Sequence, residues 1–194
     1  MSRDSIIMII GAAAAVILQL VVAPNIAIFS VMPNFLLAYS LVLAIVRPMN
    51  NSTLIVAFVF GLLFDLMGHG PVGAMAFLMV LAAFCASRLF MVMNNSAFAM
   101  AAITLFVSFL LVETIYALFL LMFGFSAGPI DAFLYRALPC TLYDCVFGFI
   151  FYPIALRLFV ETPRSSSSDA PHASLGPSGS VSQLPKRRKK KPRF

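Results

Sequence analysis

The stretch AFAMAAITLFVSFLLVETIYALFLLMF, residues 97–123, decides the fold. It is almost continuously apolar and carries one charged side chain, Glu113, well inside the run. A helix needs roughly 17–25 residues, at about 1.5 Å each, to cross the hydrocarbon of a bilayer. The stretch is long enough. A second long run, residues 133–160, carries Asp144 in its interior. A carboxyl at bilayer depth costs about 2.5–3.5 kcal/mol on insertion scales, so it faces a protein interior or a polar cavity and takes a partner there. The pair points to a membrane-embedded bundle with something polar inside it.

Composition agrees. The chain has 194 residues, 62% hydrophobic and 10% charged, with a mean hydropathy of +1.01. Soluble domains carry roughly 45–50% apolar and about 25% charged residues. The net charge of +6 does not describe a nucleic-acid-binding surface, because seven of the 13 basic residues fall in the last nine positions. The three cysteines, Cys85, Cys140 and Cys145, lie in apolar segments without metal-ligand spacing and read as small buried hydrophobes. No cofactor or metal site is expected.

Six segments qualify as crossings or nearly do: 5–22, 29–46, 52–67, 72–88, 97–123 and 133–160. The first lacks a small-residue cleavage pattern and reads as a retained helix rather than a signal peptide. The turn signal Gly68-His69-Gly70-Pro71 separates the third from the fourth. Six crossings place Arg3, Arg47, Arg88, Arg157, Arg164 and the basic tail on one side, with only Arg136 on the other. That is the positive-inside pattern, so both termini are expected in the cytoplasm. Residues 1–162 form the transmembrane domain in this reading. Residues 163–194 are rich in Ser, Pro and Gly and are expected to be a disordered tail. The tail ends in the block Lys186, Arg187, Arg188, Lys189, Lys190, Lys191, suited to an anionic lipid surface.

Glu113 and Asp144 come out at one depth on adjacent helices, where two carboxyls can share a proton, bind a cation or meet a partner's polar group. They can equally be hydrogen-bonded within the bundle. Asp65 and Arg136 form a second pair matched in depth, and an ion pair between them is expected; Asp131 competes for Arg136. Gly11 and Ala15 make a small-residue face on the first helix, as Gly61 does on the third, for close packing inside the bundle or against another membrane protein. Pro139 and Pro153 are expected to kink the last helix. Catalytic constellations are missing: the two histidines, His69 and His172, lie in a turn and in the tail, with no HExxH or CxxC motif. An enzyme is not expected.

The stretch Gly61-Leu-Leu-Phe-Asp65-Leu-Met-Gly-His-Gly-Pro71-Val-Gly73 resembles the glycine–aspartate–proline–glycine signature of the rod shape-determining MreD family. Pro33-Asn34-Phe-Leu-Leu is similar to that family's Pro-Asp-Leu-Leu-type opening of the second helix, and Leu142-Tyr143-Asp144 to its Leu-Tyr-Asn-type position. The resemblance covers about residues 1–160. In this chain an amide, Asn34, stands where the family has an acid, and an acid, Asp144, where it has an amide. The resemblance implies an all-α, compact six-transmembrane-helix bundle, similar to the S components of energy-coupling vitamin transporters, in the bacterial plasma membrane. It implies a non-enzymatic scaffold of cell-wall elongation that binds an MreC-like single-span protein. Through that partner it reaches MreB and the RodA and penicillin-binding-protein synthases. The alternative it leaves open is a vitamin-binding transporter subunit.

Overall fold

The computed structural model describes residues 3–27, 31–68, 70–93 and 98–159, all within the compact unit Met1–Pro163. The expected disordered tail, with its basic block Lys186 to Lys191, lies outside the described residues, as does His69. Among the described residues the chain is helical without a β-strand. The helices are α1 (Arg3–Asn25), α2 (Phe35–Val46), α3 (Asn51–Met67), α4 (Ala74–Met93), α5 (Phe98–Met122) and α6 (Pro129–Phe159). The expected count of six holds. Four of them, α1, α4, α5 and α6, are long and apolar enough to cross a membrane, while α2 and α3 are shorter.

The second helix differs most from expectation. It begins at Phe35, six residues later than the apolar run beginning at residue 29 suggests. Pro33 offers no N–H and disfavours helical backbone at the residue before it. Asn34 then acts as the N-cap: its side-chain oxygen accepts the Leu37 N–H at 3.0 Å. What remains is only 12 residues, about 18 Å of helix. Ten of those 12 are buried, so α2 is the axis of the bundle rather than one of its walls. It packs against all five other helices.

Two turns are wider than α-helical, and both immediately precede a proline. In α1 the Ala23 N–H reaches back to Leu18 O, and Pro24 follows. In α6 the Leu138 N–H reaches back to Phe133 O, and Pro139 follows. A proline ring crowds the carbonyl four residues earlier. A five-residue hydrogen bond just before it relieves that crowding and lets the helix continue. So Pro24 does not end α1, which runs on to Asn25, and Pro139 is absorbed by a π-helical turn at Phe133–Ala137.

Large apolar side chains cover the outside, among them Ile55, Phe58, Leu111, Leu142 and Ile150. A water-facing surface of that kind would aggregate, whereas lipid accepts it. The protein is a membrane protein. Between helices in lipid there is little hydrophobic driving force, so association rests on close packing and hydrogen bonds. Both are present. Ser87 donates to the Ala44 carbonyl at 2.8 Å, and Tyr39 to the Met8 carbonyl at 2.9 Å. At the end of the bundle away from Glu113, Arg47 pairs with Asp4 at 3.3 Å and lies over the Phe159 ring.

Candidate functional site

Asp65 ends up fully buried near the C-terminus of α3. The chain turns back through Pro71 and Gly73, and Gly73 takes φ +94°, a conformation that glycine adopts without a Cβ penalty. That turn aims the start of α4 at the carboxyl. Asp65 accepts the N–H of Gly73 at 2.8 Å, Met75 at 3.1 Å and Ala76 at 3.2 Å. A helix start leaves such donors unpaired and carries a partial positive charge, so a carboxylate suits it doubly. Gly61 lies one turn below Asp65 on the same face. A Cβ there would sit 2.6 Å from Ala76 N and 2.8 Å from Met75 O, so only glycine lets α3 and α4 come this close. The motif Gly61–Asp65–Pro71–Gly73 is thus one device that welds two helices together.

This geometry replaces the expected Asp65–Arg136 ion pair. Among the described residues no such pair lies within 4.0 Å. The Asp65 carboxyl is occupied by backbone, and the Arg136 guanidinium lies over the Tyr116 ring, 5.5 Å from its centre.

The other helix that starts inside the bundle, α2, is served in the same manner from a distance. Asp144 of α6 accepts the Asn34 N–H at 2.7 Å, and Gln19 of α1 accepts the Phe35 N–H at 2.8 Å. Gln19 also donates to the Pro33 carbonyl at 3.3 Å. Irregular backbone at membrane depth is tolerated where protein satisfies it, and these two side chains do so. Asp144 and Glu113 do not hydrogen-bond each other. One oxygen of Asp144 and the side-chain nitrogen of Asn34 remain buried without a partner.

Glu113 instead faces a cavity of about 460 Å³ at the end of the bundle where α1, α3 and α5 finish and α6 begins. Its deep wall holds Gln19, Asn34, Glu113 and Cys140, all buried, and Arg136 lies toward the exposed rim. Both wide turns flank it, placing Gln19 and Leu20 on one side and Arg136 on the other. The structure therefore brings Glu113 and Arg136 to one chamber, and it separates Asp65 and Asp144 from it as helix caps. Gly11 and Ala15 pack inward: a Cβ on Gly11 would meet the Tyr39 hydroxyl at 2.6 Å, and Ala15 is buried.

Sequence reasoning passed over Gln19 and the side chain of Asn34 as site residues. Their signals were present: Gln19 is the one amide in the first apolar run, and Asn34 follows a proline where a helix begins.

No curated protein and no solved structure matches the chain. A family model does, that of the rod shape-determining protein MreD, over residues 3–161, which takes in every helix from α1 to α6. The chain belongs to the MreD family and is a cell-shape-determining membrane protein.

Proposed function

We propose that this protein is a non-enzymatic scaffold of the cell-wall elongation machinery in the bacterial plasma membrane. It crosses six times with both termini in the cytoplasm, and it binds an MreC-type single-span protein that links it to MreB and the RodA and penicillin-binding-protein synthases. The observation that carries this reading is the family match over the whole helical body, residues 3–161. The architecture supports it. The polar groups best fixed in the bundle, Asp65 and Asp144, are spent on holding helix starts, and the apolar outer faces suit a partner helix in lipid. The basic block Lys186 to Lys191 adds a loose hold on anionic lipid, worth about 1 kcal/mol per residue at low salt.

Purification in mild detergent beside a tagged MreC-type protein tests the scaffold. Stable co-purification is the expected result. Tight binding of a vitamin with no wall protein retained would replace the scaffold with the transporter-subunit reading.

A further inference from the structure

We infer that the cavity between α1, α3, α5 and α6 is a binding site for an ethanolamine-type phosphodiester, a primary ammonium joined by a short linker to a phosphate. Three observations carry this. First, the chamber contains opposite charges that do not neutralise each other by contact: among the described residues Glu113 and Arg136 make no ion pair within 4.0 Å and no hydrogen bond to one another. A buried carboxyl is costly unless something pairs with it. Second, the Arg136 guanidinium lies over the Tyr116 ring, 5.5 Å from its centre, and among the described residues it has no carboxylate within 4.0 Å. A guanidinium without a carboxylate keeps its planar fork of N–H donors for another anion. Third, the groups are ordered by depth. Glu113 is buried, whereas Arg136 is exposed toward the mouth, and the rim beyond is apolar, with Leu20 54% and Phe125 56% exposed.

That order reads as a ligand. The cation goes innermost to Glu113, and the anion sits at the guanidinium, whose fork suits phosphate oxygens. An apolar or glycerol portion leaves across the rim. An α-amino acid fits less well, because its carboxylate ends the charged part with nothing to continue outward. A chamber of about 460 Å³ falls in the size range of small-molecule sites, roughly 300–1,000 Å³. The same chemistry occurs in a free glycerophosphoester and in a phospholipid headgroup.

The test uses the full chain in phosphatidylglycerol nanodiscs. Its melting temperature is followed against glycerophosphoethanolamine, and native mass spectrometry then compares retention of phosphatidylethanolamine with that of phosphatidylglycerol. A saturable rise in melting temperature with the soluble probe, weakened about tenfold or more by Glu113→Gln and by Arg136→Gln, supports the site with a free solute as sufficient source. No response to the soluble probe, but selective retention of phosphatidylethanolamine that both variants abolish, supports it with lipid as the source. Neither effect, or effects that both variants leave intact, overturns it. If the variants do not fold, wild-type protein decides. An equal response to glycerophosphate, which lacks the ammonium, overturns the assignment, and a response to glycerophosphoethanolamine alone supports it.

Discussion

At the scale of single residues, this molecule uses two of its buried carboxyls, Asp65 and Asp144, to hold helix starts. Asp65→Ala leaves the Met75 and Ala76 amides buried without an acceptor, and the Gly73 amide beside them. Each buried orphaned donor costs about 1–3 kcal/mol, so the Met75 and Ala76 amides together give an expected loss of about 2–6 kcal/mol in detergent melting, the Gly73 amide being only part-buried. Asp65→Asn keeps one acceptor oxygen and is expected to fall between wild type and Ala. Because Asp65 and Arg136 hold separate partners, their effects should add in a double-mutant cycle, and the exchange Asp65→Arg with Arg136→Asp should rescue nothing. Rescue would restore the ion pair. Asp144 allows a sharper contrast. Only one of its oxygens is engaged, by Asn34 N–H at 2.7 Å, so Asp144→Asn should melt within about 1 kcal/mol of wild type while Asp144→Leu loses about 2–3 kcal/mol. Equal losses in the two variants would mean that the carboxyl charge, not its acceptor, matters. That Asp65 and Asp144 are buried was legible in the sequence, since each lies in an apolar run. Their partners were not, because those partners are backbone amides, and every residue but proline carries one. Matching charge to charge by depth therefore put Arg136 where the peptide backbone belongs.

At the scale of elements, the tightest join is between α3 and α4, and it hangs on two glycines of different kinds. Gly61 is needed for space: a methyl there meets backbone, which cannot move aside as a side chain can. Gly61→Ala is expected to cost about 1–3 kcal/mol by overpacking, read as a lower melting temperature in detergent. Gly73 is needed for its backbone angle, with open space around it. Gly73→Ala should cost about 1–2 kcal/mol through its φ of +94°, and Gly73→Asn less, whereas no side chain at 61 should be tolerated better than alanine. The helices themselves were readable, because lipid demands length and apolarity and the sequence displays both. The late start of α2 was hidden by the apolar stretch ahead of it. Hydropathy scores Val31 and Met32, which lie outside any helix, as it scores the residues of α2 itself. The two wide turns were hidden too, since proline announces that a helix is disturbed without saying how the turn before it adjusts.

At the scale of the whole molecule, six helices with short connections imply alternating sides, so the turn 124–128 and the turn 47–50 should face opposite compartments. Single cysteines at Ala127 and Asn51, in a Cys85→Ser background, test this with a membrane-impermeant thiol reagent on intact cells. Labelling at Ala127 alone is expected, and labelling at both from outside would break the six-crossing count. The arrangement also carries a consequence for how the protein is made. The central helix α2 leaves the ribosome second, yet the carboxyl that completes its cap belongs to a residue 110 positions later. At about 5–20 residues per second, the Asn34 amide waits on the order of 5–20 s for Asp144 to be synthesised. Throughout that interval the nascent chain holds an unfinished axis within the lipid. A product truncated before α6 lacks the carboxyl that accepts the Asn34 N–H and so cannot complete its own centre. The centre of the bundle is thus closed only by the helix that is made last.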